Sequence, residues 1–142
     1  MRLPLQFDCK TSASGDFSKN WNSQAPTESV NVAIPPEFGG HGGGFSPEDL
    51  FQMALCNCFL ATFKVYAQNS KLTFEKIEIE SHLIVDKDGK TLQPVMKSFS
   101  AKVKIYGANN VDRAKLLAEK AISSGFILNS VKTERIFEVS VE

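Results

Sequence analysis

The fold is decided by the stretch from Gly44 to Cys58, which reads GFSPEDLFQMALCNC. Ser46 can cap a helix and Pro47 suits the first helical position, while the two acidic residues that follow favour the positive end of a helix dipole. These signals predict a helix that begins here and runs to about Gln68. Its apolar residues cover nearly the whole circumference, which is typical of a helix buried inside a core. We therefore expect it to be the central helix of the protein.

On both sides of this helix the sequence alternates between apolar and polar residues, as half-buried strands do. Strands are predicted over 5–11, 17–21 and 29–34 before the helix, and over 72–86, 95–105 and 133–141 after it. A hairpin turn is expected at 86–90, around an Asp-Gly pair, and a second helix over 112–124, ending at Gly125. The order of strands, buried helix, long hairpin, helix and strand predicts one α+β domain that spans residues 1–142.

Charge and composition exclude several kinds of partner. The protein has 16 basic and 16 acidic side chains, so it lacks the basic surplus with which proteins grip nucleic acid phosphates. No apolar run of signal-peptide length precedes Asp8, and the most apolar stretch, 53–63, is shorter than the roughly 20 residues of a membrane span. Three cysteines are few, and an odd number cannot all pair, so a disulfide framework is not expected. We expect a cytoplasmic protein with neither nucleic acid nor membrane as a partner.

The histidines and cysteines do not form a pattern that holds a metal. His41 lies in the glycine-rich loop 39–44 and His82 in a predicted strand, and neither has a cysteine pair nearby. Cys56 and Cys58 point about 200° apart on a helix, so they can share neither a disulfide nor a metal ion while that helix is intact. No metal and no cofactor is therefore expected.

Cys58 has two interpretations on the residues alone. A cysteine inside a buried helix is most simply a small apolar core residue. A reactive cysteine needs a positive neighbour that holds its thiolate, and no basic residue lies in the same helical turn. The residue pattern therefore marks Cys58 as a candidate and leaves both interpretations open.

The stretch from Gly44 to Cys58 resembles the core motif of the OsmC/Ohr family, the osmotically induced and organic hydroperoxide resistance proteins. The matching features are a glycine-rich loop, then Pro-Glu-x-Leu, then Ala-Leu and, after two further residues, the reactive cysteine. The segment 118–130, AEKAISSGFILNS, is similar to the second cysteine region of the family. The resemblance implies antiparallel sheets around a buried central helix. It also implies an intertwined homodimer with the site near the subunit interface.

The resemblance also implies a chemistry for Cys58. Its thiolate would attack a small apolar hydroperoxide, release an alcohol and become a sulfenic acid. In the family a second cysteine condenses with the sulfenic acid to a disulfide, which an external dithiol then reduces. Glu48 matches the family carboxylate that orients an arginine towards the thiolate. Glu48 equally fits a simpler role as a first-turn complement to the helix dipole.

The sequence departs from the family pattern at two places. Gly125 stands where the resemblance puts the second, resolving cysteine, and no cysteine follows Cys58. The activating arginine of the family has no counterpart at a matching position. Lys10 or Lys19 could substitute for it as a point charge, without the bidentate fork of a guanidinium.

Three hypotheses remain for the function. The first is a one-cysteine peroxidase, in which an external thiol reductant resolves the sulfenic acid of Cys58. The second is a non-catalytic family member that binds an apolar small molecule or senses oxidation at Cys58. The third is a scaffold with an inert core cysteine. Cys9 and Cys56 are expected to be structural residues.

Overall fold

The computed structural model describes all 142 residues, which form six strands and two α-helices in the order that the sequence predicts. The chain separates into two units, residues 1–51 and 52–142. Each unit contains one three-stranded sheet. The expected α+β class is confirmed.

The sheet of the first unit is antiparallel, and its strands are short. It consists, in spatial order, of β1 (Lys10–Ser12), β2 (Trp21–Gln24) and β3 (Ser29–Val32). Residues 1–20 are all exposed, and Phe7 is 90% exposed. The predicted ranges 5–11 and 17–21 are largely wrong, since β1 overlaps the first only at 10–11 and β2 overlaps the second only at Trp21, whereas β3 falls within the predicted 29–34. The apolar residues on which those two predictions rest have little to pack against.

The glycine-rich loop joins this sheet to the first helix and is hydrogen-bonded to β3. The side-chain amide of Asn31 donates to the carbonyl of Gly43 at 2.9 Å, and the backbone N–H of Phe45 donates to the carbonyl of Asn31 at 2.9 Å. A β-carbon on Gly40 would collide with the carbonyl of Ile34. The number of glycines suggests a mobile connection. Here the glycines instead permit the loop backbone to lie close to the backbone at Ile34.

The second unit contains a mixed sheet. Its strands are β4 (Lys76–Lys87), β5 (Pro94–Tyr106) and β6 (Glu134–Val141), in that spatial order. β4 and β5 are antiparallel, whereas β5 and β6 are parallel. The antiparallel sheets expected from the family resemblance are therefore only partly correct. The difference arises because α2 (Val111–Ser124) carries the chain back between β5 and β6, and a helical crossover returns the next strand parallel.

The hairpin between β4 and β5 turns over 88–93, slightly later than predicted. The carboxylate of Asp88 accepts the backbone N–H groups of Lys90 and Thr91 at 2.9 and 2.8 Å, and these hydrogen bonds lower the pKa of Asp88. The backbone N–H of Asp88 also donates to the carbonyl of Gln93 at 2.8 Å. The Asp-Gly pair thus opens a six-residue loop and does not form the two-residue turn that it typically favours.

Helix α1 (Pro47–Asn69) buries one stripe within the chain, not its whole circumference. Its buried side chains recur every four residues at Leu55, Phe59, Phe63 and Ala67. Met53 and Val65, on other faces, are 40% and 56% exposed. By length and composition alone α1 could cross a membrane, a property that the core helices of soluble proteins share. The predicted complete burial is absent because this chain lays a sheet against one side of the helix only.

Candidate active site

The N-terminus of α1 is closed by a reciprocal pair of hydrogen bonds. The Ser46 hydroxyl accepts the backbone N–H of Asp49 at 3.0 Å, and the Asp49 carboxylate accepts the backbone N–H of Ser46 at 3.0 Å. Ser46 itself is buried. This is a capping box, and it satisfies two helix donors at once. The helix therefore begins at Pro47, as the sequence predicts, and Glu48 is fixed in its first turn.

Glu48 has an unsatisfied carboxylate. Its Oε1 atom is buried and has no hydrogen-bond partner. Neither Lys10 nor Lys19 forms an ion pair with it, since the chain contains a single ion pair, between Lys76 and Glu78. A buried carboxylate oxygen without a donor is costly. One carboxylate oxygen of Glu48 thus lacks the donor that its burial calls for.

Cys58 lies directly beside Gly125. A β-carbon built on Gly125 would be 2.8 Å from the Sγ atom of Cys58 and 3.1 Å from the Cδ1 atom of Leu128. Across a disulfide, the β-carbon of one cysteine is about 3 Å from the sulfur of the other, given an S–S bond of about 2.0 Å. A cysteine at position 125 would therefore lie within bonding reach of Cys58. The structure brings together the two positions that the sequence resemblance pairs.

The end of α2 sets the position of Gly125. The helix stops at Ser124, and the backbone N–H of Gly125 donates to the carbonyl of Ala121 at 3.1 Å. Gly125 has φ −61° and ψ 132°, which any residue can adopt. The predicted helix end is thus confirmed, but glycine is required there for space beside Cys58 and not for a left-handed conformation.

A hydrogen bond ties this end of α2 to α1. The hydroxyl oxygens of Tyr66 and Ser124 are 2.5 Å apart, and the Ser124 hydroxyl also donates to the carbonyl of Lys120 at 2.7 Å. Tyr66 is eight residues beyond Cys58 and so shares its face of α1. The contact holds the last turn of α2 along the face that carries Cys58. Nothing in the local sequence pattern distinguishes Tyr66 from a core aromatic residue, so the sequence alone does not indicate this role.

Cys56 belongs to a different surface of α1. Its thiol donates to the hydroxyl of Ser81 on β4 at 3.3 Å, and that hydroxyl donates to the side-chain oxygen of Gln52 at 2.6 Å. Cys56 and Cys58 therefore point to opposite sides of the helix, as their spacing predicts. All three cysteines are free, and Cys9 is exposed in the first unit.

Two arginines of the second unit bind loop carbonyls. Arg135 on β6 donates through Nη1 to the carbonyl of Leu128, in the loop that follows Gly125. Arg113 on α2 donates in the same way to the carbonyl of Ser70, at 2.9 Å. The sequence alone indicates no role for either arginine. The one sequence feature that bears on Arg135 is its spacing of two residues from Phe137 along β6, which places both side chains on the same face of the sheet.

Comparison with known proteins identifies relatives of this chain. The family model described as OsmC-like protein matches residues 40–140. An uncharacterized protein of Acinetobacter baylyi is 33% identical over 95 residues, which are 65% of this chain. The match covers 62% of that relative, so the chain spans less than two thirds of its length.

Solved structures share the whole fold. An OsmC-like protein of unknown function from Vibrio cholerae superposes with a TM-score of 0.86 at 15% identity, over 96% of this chain and 100% of that chain. The organic hydroperoxide resistance protein OsmC from Legionella pneumophila superposes with a TM-score of 0.72 at 20% identity, over 99% of both chains. At such identities the likeness shows the fold alone.

Proposed function

The chain belongs to the family of OsmC-like proteins, and on that premise we propose that it is a one-cysteine thiol peroxidase for small apolar hydroperoxides. Cys58 is the peroxidatic thiol, and Glu48 is the carboxylate of the site. The contact between Gly125 and the Sγ atom of Cys58 carries the proposal. The chain keeps the spacing of a two-cysteine site, but the residue at the second position, Gly125, has no thiol. Names of solved neighbours, such as organic hydroperoxide resistance protein, support a peroxide-related role at the level of the family.

The reaction has two stages. In the first, the Cys58 thiolate attacks the terminal oxygen of the hydroperoxide, the O–O bond breaks, and the alkoxide leaves with a proton as an alcohol. In the second, an external thiol attacks the resulting sulfenic acid, which releases water and forms a mixed disulfide. A second external thiol then restores the Cys58 thiol and leaves as a disulfide. The external thiol is required because Gly125 cannot supply the second sulfur.

The surroundings of Cys58 suit an apolar substrate. The fully buried side chains Leu55, Phe59 and Leu128 lie along or beside this part of α1. Apolar walls keep water away from the sulfenic acid and accept an alkyl group. Phe126, immediately after Gly125, adds an apolar side chain that is 65% exposed. A hydroperoxide with an alkyl or aryl group gains from such contacts, whereas hydrogen peroxide does not.

We further propose that the protein is an intertwined homodimer, located in the cytoplasm. Large apolar side chains of the first unit are exposed, including Leu5 at 52%, Phe7 at 90% and Phe17 at 62%. A second copy would cover these residues and the exposed side of α1. It would also supply the donor that Glu48 lacks. A cytoplasmic location keeps the three free cysteines reduced.

A non-catalytic role is the second candidate. The observation that favours it is the buried oxygen of Glu48, for which this chain supplies no cation. Such a protein would bind an apolar molecule beside Cys58, or would stop at the sulfenic acid and act as an oxidation sensor.

Peroxide consumption separates the two candidates. The reduced protein is mixed with cumene hydroperoxide and dithiothreitol, and loss of peroxide is followed over many turnovers. We expect turnover by the wild type and by Cys56→Ser, which keeps a hydroxyl opposite Ser81, and none by Cys58→Ser. Turnover by Cys58→Ser at the wild-type rate would refute the peroxidase role of Cys58. Consumption of a single equivalent per protein, without turnover, would favour the sensor.

A further inference from the structure

The closing segment, residues 125–130, lies against Cys58. Gly125 is buried, and the position of a β-carbon on it is 2.8 Å from the Sγ atom of Cys58. Leu128 is fully buried, whereas Phe126 is 65% exposed. The inner side of the segment therefore covers part of the thiol, and its outer side meets solvent.

Hydrogen bonds within this region make the closing segment a single body. The backbone N–H of Asn129 donates to the carbonyl of Gly125 at 2.9 Å, and the Ser130 hydroxyl donates to the carbonyl of Phe126 at 2.6 Å. The side-chain amide of Asn129 donates to the carbonyl of Ser123 at 3.1 Å, which joins the segment to the end of α2. A segment with such internal bonds moves as a unit, so its position depends on the contacts that fix it from outside.

Two side chains from other elements bind this region by hydrogen bonds. Tyr66 on α1 bonds to Ser124, the residue immediately before the closing segment, with the two hydroxyl oxygens 2.5 Å apart. Arg135 on β6 donates to the carbonyl of Leu128. Apart from the buried Leu128 side chain, these two bonds fix the segment, so it opens locally at a lower free-energy cost than the sheet or α1 does.

The direction of the Tyr66 hydrogen bond follows from its neighbours. The Ser124 hydroxyl has one proton and donates it to the carbonyl of Lys120 at 2.7 Å. Tyr66 is therefore the donor to Ser124. The ammonium group of Lys120 also lies 4.3 Å from the centroid of the Tyr66 ring. Tyr66 thus contacts the last turn of α2 twice, and only the hydroxyl contact is lost when phenylalanine replaces it.

Cys58 itself is half-buried, so part of its surface stays accessible while the closing segment lies against it. A small reagent reaches the sulfur through that part. A bulky reagent needs more room, and the segment provides it only by moving away together with Gly125. That movement breaks the hydrogen bond between Tyr66 and Ser124.

We propose that Tyr66 is a positioning residue that sets the upper size of the molecules that reach Cys58. Its hydroxyl holds Ser124, and thereby the closing segment, in the closed position, so small hydroperoxides are preferred over bulky ones. The preference among hydroperoxides rests on the peroxidase function proposed above, whereas the closure itself acts on any reagent for the thiol. A neutral hydrogen bond of this kind shifts an equilibrium by roughly two- to tenfold, which is the size of the expected effect.

Two maleimides of different size test the closure without any peroxide. The reaction of Cys58 with N-ethylmaleimide and with fluorescein maleimide is timed in a Cys9→Ser/Cys56→Ser background, so that one thiol reports. We expect Tyr66→Phe to raise the rate with the larger reagent about two- to tenfold, and to leave the rate with the smaller one within about twofold. The ratio of the two rates cancels any change in the reactivity of the thiol itself, so a purely structural role of Tyr66 would not change it.

Tyr106→Phe is the matched control, because a lysine ammonium, that of Lys76, also lies over the Tyr106 ring, at 4.7 Å. Tyr106 ends β5, next to the beginning of α2, whereas Ser124 ends that helix, about 20 Å further along its axis. The control should leave the ratio unchanged. Ser124→Ala removes the same hydrogen bond from the other side and should match Tyr66→Phe, and the double variant should exceed neither. Equal ratios in Tyr66→Phe and Tyr106→Phe would overturn the proposal.

With peroxide, the same comparison uses tert-butyl hydroperoxide and linoleic acid hydroperoxide, with dithiothreitol as the reductant. Tyr66→Phe should raise kcat/KM for the larger substrate relative to the smaller one about two- to tenfold, and Tyr106→Phe should not. An unchanged substrate ratio in an enzyme that turns over would overturn the size preference. Absence of turnover in the wild type would refute the peroxidase function alone, and the maleimide ratio would then still decide whether Tyr66 holds the closing segment.

Discussion

The Sγ atom of Cys58 lies 2.8 Å from the point that a β-carbon on Gly125 would occupy, so the thiol fills space that any other residue at 125 would need. Gly125 is buried, and its backbone is held by hydrogen bonds to Ala121 and Asn129. The two residues lie 67 positions apart in the sequence, yet each limits what the other can be. A cysteine at position 125 would convert this contact into a bond, and an alanine there would overfill the space that the thiol occupies.

Gly125→Cys should form a disulfide with Cys58 under mild oxidation. The β-carbon position is already at the separation that a disulfide requires. Closing a loop of this length stabilises the folded chain by up to about 4 kcal/mol on the chain-entropy model. Free thiols are counted before and after oxidation, and the midpoint of urea unfolding is compared with and without reductant. The variant Cys58→Ser/Gly125→Cys is the control. Four free thiols in the oxidised Gly125→Cys variant, against the three of the control, would show that the side chains cannot meet.

Gly125→Ala should destabilise the protein by about 1–3 kcal/mol, since the new methyl group forces Cys58 or Leu128 to move. Urea unfolding measures the loss. Gly89→Ala, where a β-carbon meets nothing within 4 Å, should change stability by no more than about 0.5 kcal/mol. Combining Gly125→Ala with Cys58→Ala should recover part of the loss, because the sulfur is gone. Additive losses in the double variant would contradict the direct contact.

Ser46→Ala should cost about 1 kcal/mol of stability, because the N-terminus of α1 loses one half of its capping box. Ser46→Thr keeps the hydroxyl and should retain most of that stability. Circular dichroism during urea unfolding checks both variants. An alanine variant as stable as the wild type would mean that solvent replaces the cap without loss.

The dimer proposed above predicts a solution mass of twice 15.6 kDa. Val65→Glu places a charge on the exposed side of α1 and should shift the protein towards monomer. Leu116→Glu on α2, where the leucine is 65% exposed, is the matched control and should leave the mass unchanged. Light scattering after size exclusion gives the mass. A wild-type monomer at every concentration would reject the dimer, and a dimeric Val65→Glu variant would place its interface elsewhere.

Local signals in the sequence predict the parts of the fold that depend on neighbouring residues. The start of α1 follows from Ser46 and Pro47, since caps act within one helical turn. The lengths of β1 and β2 cannot be predicted in this way. Alternation shows which residues prefer burial, but it does not show which surface will cover them. The parallel pairing of β6 depends on the path of α2, which periodicity does not specify.

The candidate site was predictable only in part for the same reason. The resemblance to a family pairs Cys58 with position 125, and the structure brings them into contact. The link from Ser81 to Cys56 and the link from Arg135 to Leu128 both join residues that are distant in sequence. Their local patterns are those of ordinary strand residues. Such contacts depend on how the sheet lies against α1.

The most direct test of the central claim is a single-turnover trap of the oxidised thiol. The reduced protein receives one equivalent of cumene hydroperoxide in the presence of dimedone, which labels sulfenic acids, and the labelled peptides are identified by mass spectrometry. We predict that the label is on Cys58 and absent from Cys9 and Cys56, with one alcohol released per label. Consumption of the hydroperoxide with the label on Cys9 or Cys56, or on no cysteine, would contradict the assignment of Cys58 as the peroxidatic thiol.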